Sequence, residues 1–322
     1  LYMASPLFSE DSEDKWKQAA EAAYDIIKQK TDLGLDLVPY PQIFNDVNNQ
    51  KAEVILYRPT GESGDFEKAN FPIGVEGGKT STCPTQNLME AYDMKDGTPF
   101  VWNNQSNPYD NRDPRMKYTI VCNEMKWPVD PVEIWEGGTN GLPLQNATTT
   151  GYYLKKYVNN TISFEAGSTV TKKQHNWVLF RYGEILLNYA EAMINAFHDP
   201  NYKDAVYNMS AREAVNQIRG RTNISLPGFP SDITEKDFVK RLKNERRVEL
   251  AFEGHRFWDV RRWKELGQTA NIYGVKITKN NEVISYEKFL LETRAVTDNM
   301  YFYPIPNTER FKNPNLGQNP GW

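Results

Sequence analysis

Asn244-Glu245-Arg246-Arg247-Val248-Glu249-Leu250-Ala251-Phe252-Glu253-Gly254-His255-Arg256-Phe257-Trp258-Asp259-Val260-Arg261-Arg262-Trp263 is the stretch that decides the fold. Three glutamates, five arginines, a histidine and two tryptophans are interleaved with a helix-period apolar set. Helical spacing puts Glu245 and Glu249 one turn apart and Glu253 on the next turn, while Arg246, Leu250 and Glu253 share a neighbouring face. Charged and large apolar groups therefore fall on the same faces, which an ordinary amphipathic helix would separate. Exposed ion pairs would contribute little. A buried Arg–Glu network would lock this helix to its neighbours, and losing one partner would be costly. Phe252, Phe257, Trp258 and Trp263 crowd the stretch and are expected to exclude water, which favours the network.

Composition sets wide bounds. The chain has 322 residues with 38 basic and 42 acidic side chains, a net charge of −4. The two signs are well mixed, which argues against a nucleic-acid surface, since that would need a basic stripe. There are 8 Trp, 18 Tyr and 15 Phe, enough for a core and for some exposed rings that could stack on sugar faces. Cys83 and Cys122 lack metal-ligand spacing and are expected to be free, buried thiols. No apolar run is long enough to span a membrane. The sequence opens at Leu1-Tyr2-Met3-Ala4 as if inside an element, with no signal peptide or lipobox.

Helical signals fall in two blocks. Ser12 is a candidate N-cap ahead of Trp16, Ala19, Ala20, Ala23, Ile26 and Ile27. The second block, about 172–266, holds the stripe Leu186, Tyr189, Ala190, Met193 and Phe197, then Ala211, Ala214, Val215 and Ile218. Thr234 with Asp237 is a capping signal before the quoted stretch. Helix pairs joined by short loops predict hairpins, although no 34-residue repeat is visible. Residues 31–171 are rich in Gly, Pro and Asn, with strand candidates at Val54-Ile55-Leu56-Tyr57 and Lys117-Tyr118-Thr119-Ile120-Val121. The tail, with Pro304, Pro306, Pro314 and Pro320, cannot be a long helix; residues 267–322 are expected to wrap over the core as an extended segment.

The quoted stretch resembles the C-terminal signature of the SusD/RagB family, surface lipoproteins of Bacteroidetes that capture nutrients, usually glycans. Four more segments agree, in order: Pro84–Leu88 with Ala91–Gly97; Asn111-Arg112-Asp113-Pro114-Arg115; Phe180–Ala192; and the tail Tyr303-Pro304-Ile305-Pro306 with Asn313–Leu316 and Gln318–Trp322. The resemblance implies a mostly α fold: a single domain over 1–322 with a tetratricopeptide-like helical-hairpin scaffold, long structured loops and a few short strands. The scaffold would be about 1–30 and 172–266, and 31–171 the ligand-binding region. It also implies capture without catalysis and delivery to a SusC-like TonB-dependent transporter. The site would lie at the outer membrane, behind an N-terminal lipid anchor absent from this chain, which matches the C-terminal portion of such a protein.

Chemical motifs are sparse. His175, His198 and His255 are too scattered for a metal site, and His255 reads as a packed structural residue. Gly74–Thr80 departs from a P-loop at Ile73, and no G-x-S-x-G elbow occurs. No cofactor, metal or catalytic residue is assigned. Glu133 and Glu136 around Trp135, and Asp65 and Glu67 around Phe66, keep a glycosidase open as a lesser alternative; peptide capture by a RagB-like protein is the main one. A glycan site needs flat rings beside hydrogen-bonding groups. The candidates are Trp102 with Asn103, Asn104 and Gln105, then Tyr109, Phe66, Phe71, Trp127 and Trp135. Trp102, with its amide-rich flank, is the first choice. Tyr92, Trp258 and Trp263, inside family-like motifs, are expected to build the frame.

Overall fold

A computed structural model describes residues 1–8, 12–45, 52–103, 107–165 and 171–322. The first core is helical. Helix α1 (Glu13–Lys28) buries Trp16, Ala20, Ala23, Tyr24 and Ile27. Ser12 stands at its N-cap position, yet its hydroxyl donates to the Ala4 carbonyl instead of capping. After the short α2 (Gln42–Asn45), the chain enters β1 (Val54–Ser63), then α3 (Asp65–Asn70), α4 (Gln86–Met89) and α5 (Pro114–Thr119). Two-residue strands β2 (Ile120–Val121) and β3 (Tyr153–Leu154) pair antiparallel. Strand β4 (Lys173–Arg181) pairs with β1 and leads into α6 (Tyr182–Phe197). Helix α6 is buried on nearly every face and packs against α1, α7 (Ala211–Arg219) and α8 (Glu235–Glu249). A helix buried on so many faces belongs at the centre of a core, and its polar Glu191 is taken up by ion pairs there. Helix α9 (His255–Arg262), the hairpin β5 (Asn271–Asn280) and β6 (Val283–Thr293), and α10 (Asn307–Lys312) complete the chain.

Several expectations change. Lys173–Arg181 is strand, so the helical block starts at Tyr182 and not near 172. Lys117–Thr119 belong to α5, whose Asp113 cap and Pro114 start a helical turn; only Ile120 and Val121 are strand. The quoted stretch is two helices. It breaks over Leu250–Gly254, where Phe252 (φ 62°) and Gly254 (φ 86°) are left-handed. The segment after 267 begins with a hairpin, turned at Asn281 (φ 53°), and then runs through irregular chain that is interrupted by α10. Phe252, Phe257 and Trp258 do not exclude water: they are exposed, Trp258 by 50%, and Trp263 alone of the four is buried. The Thr234 cap on Asp237 N–H forms as expected. Both cysteines are free, Cys122 buried and Cys83 half-buried.

A second core gathers the loops, with Phe71, Met89, Tyr92, Tyr152 and Tyr153 around β2 and β3. Leu242 of α8 belongs to the helical core and Val248 to the loop core, so this helix is the wall between them.

Candidate functional site

The ion network expected from the quoted stretch is present, and it fixes the loops to the helices. Arg115 Nη1 donates to Glu245 Oε1 (2.5 Å) and Glu249 Oε2 (2.9 Å), while its Nη2 holds Asp113 (2.7 Å). Arg181 bridges Glu53, Glu249 and Glu253. Arg221 joins Glu53 and Glu249, and Arg219 joins Glu245 and Asp93. Lys156 of the loop region closes on Glu253 at 2.8 Å. A second knot ties α6 to α9: Glu191 accepts from Arg262 and from Trp263 Nε1 (2.7 Å), and Asp259 meets Arg246 and Arg262. Burial pushes the Glu249 carboxyl up, but Arg221, Arg181 and Arg115 together outweigh it and hold it well below the usual carboxylate range. Such charges stay ionised and serve as frame, not as acid–base chemistry.

Against that frame the candidate ligand residues separate. Phe71 (0% exposed) and Tyr109 are inside the loop core, where Phe71 packs edge-on to Trp127 at 5.4 Å and Tyr109 edge-on to Tyr152 and Tyr286. Neither ring offers a free face, because hydrophobic burial claims it first. Phe66 is half-buried, edge-on to Trp177 and His175. Trp135 is half-buried under the Lys279 ammonium, 4.3 Å from its ring centre. Trp102 is half-buried and edge-on to Phe100 at 6.4 Å, with Asn103 exposed beside it. Asn104 and Gln105 lie outside the described residues. Phe71, Tyr109 and Trp127 belong to the loop core and Phe66, Trp102 and Trp135 pack against it, but of the six rings Trp127 alone lines an open cleft.

That cleft, of about 640 Å³, lies between three loops of the predicted ligand-binding region, 74–76, 127–140 and 160–165. Its aromatic wall is half-exposed Phe164 together with Trp127, which is 4% exposed. Buried Phe71 touches both rings edge-on (5.4 and 6.0 Å) and sets their positions. Asn140 clamps the rim: its Oδ1 accepts from Gly74 N–H at 2.8 Å and its Nδ2 donates to Thr139. A Cβ at Gly74 would lie 2.6 Å from that oxygen, so only glycine permits the approach. Glu76, Asp130, Glu133, Glu165 and Asn160 also border the cleft, and its described lining contains no Lys, Arg or His. Glu133 accepts from Thr139 Oγ1 at 3.2 Å. A ring wall with carboxylate and amide acceptors can hold an apolar C–H face and read hydroxyl donors. Sequence reading marked Trp127 but missed Phe164: the only signal was a Phe beside Ser163 and Glu165 in a loop.

A helical frame joined by a buried ion network to a loop-built cleft defines a scaffold for holding a ligand. The SusD family description, SusD_RagB, matches residues 42–322, and the chain belongs to that family. SusD-like protein P2 of Formosa agariphila is 29% identical over 163 residues, covering 49% of this chain and 28% of that relative. A SusD-like protein of Bacteroides fragilis superposes with a TM-score of 0.76 at 26% identity, covering 94% of this chain and 63% of that one. A SusD-like carbohydrate-binding protein of the same organism has a TM-score of 0.76 at 24% identity, which shows the fold, over 94% and 61% of the two chains. This chain thus spans under two thirds of these relatives' lengths. No helix among the described residues is long and apolar enough to cross a membrane.

Proposed function

We propose that the chain is the ligand-holding portion of a cell-surface nutrient-binding protein. It captures an oligosaccharide or polysaccharide in the Phe164–Trp127 cleft without cleaving it. It then passes the glycan to a SusC-like TonB-dependent transporter in the outer membrane, beside which a lipid anchor outside these residues would hold it. The observation that carries this reading is the cleft's combination of a ring wall with hydroxyl acceptors and, among the described residues, no lining cation. Family membership and the carbohydrate-binding relative support it.

Peptide capture has one observation in its favour. The β1–β4 ribbon is two-stranded, so each strand has an outer edge, and Leu56, Tyr57 and Phe180 are exposed on it. Edges of this kind accept an added strand.

Affinity electrophoresis against neutral plant, host and microbial polysaccharides tests the first reading, with wild type, Phe164→Ala and Trp102→Ala side by side and released sugars assayed. Retardation by one glycan, about tenfold weaker in Phe164→Ala, retained in Trp102→Ala and without cleavage, is the expected result. Loss in Trp102→Ala alone would move the platform there. Released sugar would make the protein a hydrolase.

A further inference from the structure

A second cavity, of about 470 Å³, has the opposite electrostatic character. It lies between α8 and the segment Glu90–Phe100 and is closed by the start of α9 and by Glu265 and Gln268. Cavities of this size, within roughly 300–1,000 Å³, are those that hold small ligands. Helical spacing lines up Lys236, Lys240, Lys243 and Arg247 along one side of α8, and Arg256 joins them from α9. Like charges four residues apart on a helix repel. Arg256 also sits in the first turn of α9, the positive end of the helix dipole, in a turn with no acid.

The acids that border the cavity are already engaged. Glu265 takes Lys243 at 2.5 Å, Glu90 takes Lys288 at 2.8 Å, and Asp93 takes Arg219 at 3.3 Å with Arg241 at 3.7 Å. Among the described residues, Lys236, Lys240, Arg247 and Arg256 have no carboxylate within ion-pair distance. Arg247 donates from Nη2 to the Asn87 carbonyl (2.8 Å), and Arg256 from Nη2 to Gln268 Oε1 (2.8 Å). The remaining guanidinium donors of both side chains have no protein acceptor there. Burial first and the neighbouring Arg256 second pull the Arg247 guanidinium down to about 10, against the weaker pull of Glu90 in the other direction. In a chain of net charge −4 this surplus is local. Val239, Pro99, Ala91 and Phe100 supply an apolar wall beside it, with Phe100 backed by the Arg112 guanidinium at 3.6 Å.

We propose that this cavity binds the oxyanion of a charged saccharide, a carboxylate or sulfate ester, between Arg247 and Arg256, with Lys240 at its mouth. Two guanidinium forks match the planar or tripodal oxygens of such groups, and the apolar wall takes the ring. The saccharide body rests on the glycan reading above; the preference for charge does not.

Calorimetric titration of this chain with trigalacturonate and with its methyl ester tests it, alongside Arg247→Gln, Arg256→Gln and the exposed Lys240→Glu. The acid is expected to bind at least about tenfold tighter than the ester and to weaken as salt rises. The variants should lose that margin while binding the ester as wild type does. Equal binding of acid and ester, or variants that keep the margin, would overturn the proposal and leave the glycan reading intact. Where neither saccharide binds, thermal shift with inorganic sulfate decides. A rise in wild type that the variants lack keeps the oxyanion site and removes its saccharide body; no rise overturns the proposal, and the glycan reading of the Phe164–Trp127 cleft stands or falls by the electrophoresis.

Discussion

At the scale of single residues, Glu249 is the best-placed test of the frame. Its carboxylate receives Arg115, Arg181 and Arg221, and none of the four side chains is exposed to solvent. Glu249→Gln keeps the volume but leaves three buried guanidiniums short of charge. Breaking a buried pair costs about 3–5 kcal/mol, and that is the expected loss in a urea titration, with an unchanged slope. A loss under 1 kcal/mol would mean that the network is hydrated and merely decorates the helix. The residue types of this network were legible in the sequence, because acids and arginines fell on faces that should have been apolar. Their partners were not: Glu53, Asp113, Lys156, Arg181, Arg219 and Arg221 come from distant segments. Two of the separate family-like motifs, Asn111–Arg115 and Phe180–Ala192, prove to be other ends of the same knots.

Elements were read well where local signals agree and poorly where they compete. Helix α7 has a full capping box, Ser210 Oγ accepting from Glu213 N–H and Glu213 reaching back to Ser210 N–H. Ser210 is buried, so Ser210→Ala should cost about 1 kcal/mol, read as a lower melting temperature with ligand binding intact; no change would show that the helix is held by packing alone. The break at Leu250–Gly254 went unseen because one glycine among helix formers is a weak stop signal. It still delivers Glu253 to Arg181 and Lys156, since the left-handed turn swings it back toward the loop core. Strand β4 was hidden by the helix-period apolar residues that follow it. Its exposure pattern is irregular, and only pairing with β1 at Val54↔Arg181 and Tyr57↔Val178 declares it a strand.

For the whole molecule the network dictates how stability follows pH. The carboxyls of Glu191, Glu245, Glu249, Glu253 and Asp259 are raised by burial but lowered further by their arginine and lysine partners, and all end below their ordinary values. Depressed groups contribute stability that is complete above their unfolded values, about 4, and lost as pH falls through the folded ones. Denaturation midpoints should therefore hold down to about pH 5 and fall steeply below pH 4. Asp93 acts with the opposite sign. Burial raises it to about 6 despite Arg219, so its contribution is greatest below about pH 4 and is lost as pH rises through 6. Asp93→Asn should remove that slope between pH 4 and 6 and leave the acid collapse in place. A flat profile down to pH 3 would show that the carboxylates are not held ionised in the fold.

By itself the sequence determined the family, the mostly helical frame, the loop-rich region between its two parts, and the presence of a buried charge network. Those follow from periodicity, turn residues and charge placement, which are local properties. The tertiary structure decided which rings meet an open cleft. Phe71 and Tyr109 look as available as Phe164 in a linear reading, yet packing buries the first two and leaves the third at an opening. It also decided where like charges gather with no carboxylate in ion-pair reach among the described residues, as Arg247 and Arg256 do. Exposure and the identity of a charge's neighbours depend on contacts between segments scores of residues apart, and no local pattern encodes them.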